Sequence, residues 1–201
     1  MELSGSTLLE RVGKIKPIKV DSVWTSATPF VELCRNDPPD WLYCSCEPGR
    51  YNPNNLPCVY FADGGRTARA EHACNEVNDL QPIVFFSAAV RIRHCLNLCD
   101  PKNLKILGIA KSKLVEDWER QKRSVTQQLG AVVANHSRFS AIVFPSAAAQ
   151  EAKFTGKNIV IFRDSMRRPD FVKILGPTKR PLQQGPAWPV EISKLNLSRS
   201  I

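Results

Sequence analysis

The sequence predicts an α+β domain, a compact mixed sheet core with flanking helices. Short apolar segments with strand character recur at residues 58–62, 83–92, 139–144 and 158–162. One long amphipathic segment, residues 111–130, carries helical spacing. Strands and helices do not alternate in βαβ order. No Gly-x-Gly-x-x-Gly or Walker loop is present, so a conventional dinucleotide-binding or P-loop domain is not expected.

In chain order, residues 7–12 suit a short helix, and an extended stretch through Ile18, Val20, Val23 and Trp24 runs to Thr28-Pro29. Asn36-Asp37-Pro38-Pro39-Asp40 is a turn cluster, Trp41-Leu42-Tyr43-Cys44 has strand character, and Glu47-Pro48-Gly49 stops it. A polar, turn-rich loop follows through Asn55, and residues 58–62 read as a strand. Asp63-Gly64-Gly65 ends that strand, and Asp63 or Thr67 can cap the helix expected over residues 67–77. Residues 83–92 form one strand or two, residues 97–101 a turn, and residues 102–109 a further short apolar segment. In residues 111–130, Leu114, Val115, Trp118, Val125 and Leu129 share one face and Gly130 is the stop; residues 131–135 continue it weakly. Residues 139–144 and 158–162 are buried-type strands. Beyond Asp170, Pro177, Pro181, Pro186 and Pro189 limit element length, and a surface-wrapping or partly irregular tail is expected.

Lys and Arg number 28 against 19 Asp and Glu, and the formal net charge of +9 favours anionic partners: a nucleotide pyrophosphate, nucleic acid, an acidic protein or a membrane surface. No apolar run reaches the roughly 18 residues of a spanning helix, so no membrane association is expected. In residues 1–20 Leu8-Leu9 is followed at once by Glu10-Arg11, unlike a signal peptide, and a cytoplasmic location is expected. Seven cysteines suit a reducing compartment better than a disulfide scaffold. Cys44-Ser45-Cys46 and Cys95-x-x-x-Cys99 with His94 lack the gaps of common zinc knuckles, so no metal is expected. His72, beside Glu71, is assigned a structural place on another helix face, and His94 and His136 have no partner pattern.

Four features bear on chemistry. Arg50-Tyr51-Asn52 lies in a loop, Tyr60 on a strand, Glu71 on the next helix, and Ser146 follows a strand and a proline. Taken singly, each has an ordinary explanation: an exposed arginine, a core tyrosine, a surface glutamate, a helix cap. Taken in order, they match a pattern. Gly49-Arg50-Tyr51-Asn52, then Leu56-Pro57-Cys58-Val59-Tyr60-Phe61-Ala62, then Ala68-Arg69-Ala70-Glu71, and much later Phe139-Ser140-Ala141-Ile142-Val143-Phe144-Pro145-Ser146-Ala147, resemble the RES domain. That family is named for its arginine, glutamate and serine. Val125-Thr126-Gln127-Gln128-Leu129-Gly130 and Asn158-Ile159-Val160-Ile161-Phe162 also look like family segments. Two positions depart from the usual Gly-Gly-Arg-Trp-Asn turn: Pro48 stands for the first glycine and Tyr51 for the tryptophan. Arg66 and Arg69 also stand where apolar residues are more usual.

The resemblance covers residues 41–165, with residues 1–40 read as part of the same domain and residues 166–201 as the tail. It implies a fold similar to ADP-ribosyltransferase toxins. It also implies a toxin of a toxin–antitoxin pair that breaks the nicotinamide–ribose bond of NAD with water or phosphate, and a helix-turn-helix antitoxin as partner. NAD is then a substrate, and no cofactor is expected. Transfer of ADP-ribose to a protein is the alternative within that class.

The residue types suit such chemistry. Bond cleavage passes through an electron-poor, oxocarbenium-like sugar, which a carboxylate near the ribose stabilises; Glu71 is that candidate. Nicotinamide leaves as a neutral molecule, so a paired general acid is not required. Arg50 can hold a pyrophosphate or ribose through charge-assisted bonds. Tyr60 can stack on nicotinamide or lean its hydroxyl on the ribose. Ser146 can bond the carboxamide or ribose and orient Glu71. Tyr51 and Asn52 complete the predicted binding set. Two rivals stand outside this class: a basic nucleic-acid-binding protein, which lacks a recognisable signature here, and an inactive interaction module that keeps the fold.

Overall fold

The structure is a computed structural model that describes residues 5–30, 48–75, 82–119, 124–175 and 181–185. The predicted turn at residues 36–40, the strand at residues 41–44 with Glu47 as its stop, and the pair Cys44 and Cys46 lie outside the described residues.

The apolar, β-branched segments build the sheet. Its strands are β1 (Ile18–Pro29), β2 (Cys58–Ala62), β3 (Ile83–Asn97), β4 (Ala141–Pro145), β5 (Lys157–Phe162), β6 (Phe171–Leu175) and β7 (Pro181–Gly185). They form a seven-stranded sheet in the order β1-β2-β5-β4-β3-β6-β7. Strand β1 also pairs along β3, from Ile18 opposite Cys95 to Pro29 opposite Ile83, so the order closes on itself through β1. The join between β1 and β2 is slight, a single register pair of Thr25 and Ala62. Central β4 and β5 are buried almost throughout, which is why they read as continuous apolar runs.

The helices are α1 (Gly5–Gly13), α2 (Gly65–Asn75), α3 (Pro101–Leu107), α4 (Val125–Asn135) and α5 (Ala147–Glu151). Leu8 and Val12 of α1, Leu104 and Leu107 of α3, and Leu129 and Val133 of α4 share a core with Ile142, Phe144, Val160 and Phe162 of the sheet. A second core, with Trp24, Val90, Ile92, Ile161, Val172 and Ile174, fills the other side. Local chemistry sets the ends of α3: Asp100 accepts a bond from the Lys102 N–H at 2.9 Å, Pro101 occupies the first turn, and Gly108 closes it at φ 69°.

Five expectations change or sharpen. Residues 83–92 belong to one strand that continues to Asn97, and residues 102–109 fall mostly in α3. The tail beyond residue 170 carries β6 and β7, joined to β3, with Pro181 opening β7. The absence of βαβ order also needs correction: β3 and β4 are parallel neighbours, and the chain between them holds α3 and α4. The largest change is the predicted helix over residues 111–130. A 3₁₀ turn spans Lys111–Leu114, and the α-helix begins only at Val125. Helix propagation fails because the carbonyls of Leu114 and Glu116 accept bonds from Arg50, and the Asp117 side chain takes the Glu119 N–H at 3.0 Å.

Candidate active site

Where β1 and β2 meet only at Thr25 and Ala62, a cleft of about 620 Å³ opens, a size suited to a small-molecule site. Thr25, Ser26 and Ala27 of β1 and Tyr60, Phe61 and Ala62 of β2 line it. The loop at Gly49, Arg50 and Asn52, helix α2 through Glu71 and His72, the segment Trp118-Glu119, and Phe144 and Asn158 complete the wall.

Glu71 reaches the cleft from α2. One carboxylate oxygen, Oε1, accepts two short bonds, from Ser146 Oγ at 2.6 Å and from Asn158 Nδ2 at 2.6 Å. Ser146 also caps α5, its Oγ accepting from the Ala149 N–H at 2.9 Å. The fully buried serine is therefore fixed by the helix it starts, and it fixes the carboxylate in turn. Asn158, on β5 opposite Phe144, points its amide nitrogen at the carboxylate because the amide oxygen would be repelled there. Glu71 thus has one oxygen immobilised by two elements and the other without a protein partner among the described residues.

Tyr60 organises the loop. Its hydroxyl donates to Asn52 Oδ1 at 2.8 Å and accepts from the Tyr51 N–H at 2.9 Å. Burial of the hydroxyl pushes its pKa well above the ordinary value of about 10, so it stays protonated. The Gly49 N–H donates to the Asn52 carbonyl at 2.8 Å, and a Cβ on Gly49 would meet Asn52 Oδ1 at 2.5 Å, so glycine is needed for this close approach. Gln127 of α4 ties the same turn down by donating to the Gly49 carbonyl at 3.0 Å.

Arg50 lines the cleft, with Nη1 donating to the carbonyls of Leu114 at 3.0 Å and Glu116 at 2.7 Å. It clamps the segment that carries Trp118 and Glu119 to the cleft wall.

The structure brings Arg50, Asn52, Tyr60 and Glu71 together around the cleft, with Ser146 bonded behind Glu71. Ser146 is not part of the lining, so its geometry is that of a positioning residue for Glu71. The predicted lean of the Tyr60 hydroxyl on a ribose gives way to a hydroxyl engaged within the loop, leaving the ring as the surface it offers. Tyr51 requires a fuller correction. It is 0% exposed, its ring packs on Phe144 at 4.3 Å, and it belongs to the core that carries α4. It anchors the loop and is absent from the cleft lining, because its ring is taken up by the apolar core around Phe144.

Among the lining residues with no binding role assigned from sequence, three stand out. His72 faces the cleft, contrary to its structural assignment, and Trp118 faces it in place of a helix core position. Asn158 had a readable signal: a polar side chain leading the apolar run Asn158-Ile159-Val160-Ile161-Phe162 requires a polar partner if buried.

Cys58 and Cys95 are buried thiols, and burial pushes the Cys95 thiol far above its ordinary range. Among the described residues no His, Cys, Asp and Glu cluster has the makings of a metal site, and no helix is long and apolar enough to cross a membrane.

A family model described as the RES domain matches residues 26–188. Among solved structures, the chain is similar to the MbcT toxin in the crystal structure of the M. tuberculosis MbcT-MbcA toxin–antitoxin complex. That match has 16% identity and a TM-score of 0.61, covering 85% of this chain and 90% of the other. At that identity the likeness is one of fold. No curated protein matches the sequence.

Proposed function

The chain belongs to the RES domain family, and from that premise we propose that it is a toxin-type enzyme cleaving the nicotinamide–ribose bond of NAD. The observation that carries this reading is the Glu71 carboxylate, held at the wall of a cleft of about 620 Å³ by Ser146 and Asn158. A charge fixed before reaction stabilises a cationic transition state without reorganising during it.

In the proposed step the C1′–N bond breaks, and nicotinamide departs as a neutral molecule with the bonding pair. The positive charge passes to the ribose, where the unengaged Glu71 oxygen accepts a bond from a ribose hydroxyl and opposes it. Water or phosphate then adds through oxygen to C1′. Water loses a proton to solvent on addition; hydrogen phosphate keeps or sheds its own by ordinary equilibration.

Arg50 uses Nη1 on the carbonyls of Leu114 and Glu116, and its remaining N–H groups are the cationic donors for the pyrophosphate. The Tyr60 ring supplies an aromatic wall, while its hydroxyl and Asn52 keep the turn in shape. The enzyme acts in the cytoplasm, where NAD is abundant, and a helix-turn-helix antitoxin covers the cleft. The structural relative, a toxin seen with its antitoxin, supports a partner of that kind.

The test is to incubate purified protein with NAD, with and without phosphate, and to identify products by mass. Free nicotinamide with ADP-ribose identifies hydrolysis, and phosphorylated ADP-ribose identifies phosphorolysis. Intact NAD refutes the proposal.

A further inference from the structure

Among the described residues, Tyr60, Phe61, Phe144 and Trp118 bring their rings to the cleft lining. Three are engaged with other rings. Tyr60 meets Phe144 edge to face at 6.4 Å, Phe144 also packs on Tyr51 at 4.3 Å, and Phe61 meets Phe86 at 6.4 Å. Trp118 differs. It is half-buried at the cleft wall, and among the described residues its indole has neither a ring contact nor a hydrogen bond. Trp24, by contrast, sits in the core with its indole N–H donating to Ser22 Oγ at 2.9 Å. A large aromatic placed at a cleft without a partner keeps its π face for a ligand.

The backbone supporting Trp118 is held on both sides. Leu114 is buried in the core, Arg50 bonds the carbonyls of Leu114 and Glu116, and the Asp117 carboxylate bonds the Glu119 N–H at 3.0 Å. These bonds interrupt the helix that the local sequence favours, and they carry Trp118 to the cleft. The cost of forgoing regular helix at this point is consistent with a binding role for what it presents.

We propose that the Trp118 indole is the stacking wall for a planar heteroaromatic ring of the substrate. This rests on the reading of the cleft as an NAD site, in which two such rings exist, nicotinamide and adenine. Stacking on the indole anchors the ring in the ground state and the transition state alike, so Trp118 contributes to binding and little to the chemical step.

The experiment combines kinetics on NAD with tryptophan fluorescence, in wild type, Trp118→Phe and Trp118→Ala, each checked for fold by circular dichroism. Trp118→Ala is expected to raise KM about 10- to 100-fold with kcat within about threefold, as for loss of one ring-stacking contact. Trp118→Phe, which keeps a ring, recovers most of the loss. Nicotinamide mononucleotide and ADP-ribose serve as separate probes. Quenching by the first and not the second assigns the wall to nicotinamide, and the reverse assigns it to adenine. In either case the quench must vanish in Trp118→Phe, a variant whose smaller ring keeps the fold. NAD turnover with a quench that persists in Trp118→Phe, or with an unchanged KM in a folded Trp118→Ala, overturns the proposal. A wild type that leaves NAD intact while showing Trp118-dependent quenching overturns the proposed reaction and supports the stacking wall.

Discussion

Ser146→Ala separates a serine that touches substrate from one that holds the carboxylate. The substitution removes the 2.6 Å bond to Glu71 Oε1 and the 2.9 Å bond from the Ala149 N–H. Loss of an N-cap costs about 1 kcal/mol, and a hydrogen bond to a charged group is worth roughly 1.5–3 kcal/mol. The expected loss of stability is therefore about 2–4 kcal/mol, a fall in Tm of roughly 5–15 °C at this chain length. Glu71 retains its bond from Asn158 Nδ2, so the carboxylate is loosened and not released. Loosening a transition-state contact by about 1.4–2.8 kcal/mol lowers kcat about 10- to 100-fold. Ser146 lies behind the cleft lining, so KM should stay within about threefold. The assay is initial-rate NAD consumption at saturating and limiting substrate, below the variant's melting range. A raised KM with kcat retained would show that the hydroxyl meets substrate directly. An unchanged kcat with the stability loss intact would reduce Ser146 to a helix cap. Either outcome refutes the argument from geometry.

Two further predictions concern the loop that frames the cleft. Gly130→Ala should destabilise despite the helix propensity it adds: a Cβ there overlaps the Tyr51 carbonyl oxygen, and backbone cannot yield as a side chain can. Against a propensity gain of about 1 kcal/mol, an overpacking cost of roughly 1–3 kcal/mol leaves a net loss of up to about 2 kcal/mol in urea unfolding; a stabilised variant would contradict the packing. The second concerns alkaline pH. Burial raises the pKa of both Tyr51 and Tyr60 above the ordinary value of about 10, so above that pH the unfolded chain sheds protons that the folded chain retains. Their contribution is complete below about pH 10 and falls with rising pH by about 1.4 kcal/mol per unit for each tyrosine. Among the described residues the Tyr51 hydroxyl is buried without a partner, so Tyr51→Phe should leave stability at pH 7 unchanged or slightly higher and make the alkaline slope shallower. Equal slopes for the two proteins would contradict its burial.

What could be read from the sequence, and what could not, divides by the range of the interactions involved. Strands β4 and β5 were legible because both their faces are buried, which demands a continuous apolar run. Arg50, Tyr60 and Glu71 were legible through their order along the chain. The helix expected over residues 111–130 followed a sound local pattern, and its interruption depends on Arg50, 64 residues away from Leu114. The place of Tyr51 was hidden for the same reason: its burial is set by Phe144 and by the approach of Gly130, both remote in sequence. Local spacing puts Trp118 on the apolar face of a helix that does not form, and only the interrupted backbone brings it to the cleft lining. Asn158 stood in view, but only the pairing of β5 with β2 and β4 shows that it meets Glu71.

If a fixed Glu71 carboxylate stabilises the transition state of NAD cleavage, Glu71→Gln removes that stabilisation with little change of shape. Glutamine keeps the size of the side chain and can keep Oε1 as an acceptor for Ser146 and Asn158, while the negative charge is lost. Loss of one preorganised electrostatic contact costs about 100- to 1,000-fold in kcat. The measurement is kcat for nicotinamide release by wild type and Glu71→Gln, with unfolding midpoints in parallel. kcat is expected to fall by at least about 100-fold at near wild-type stability. Turnover that survives the substitution would contradict it.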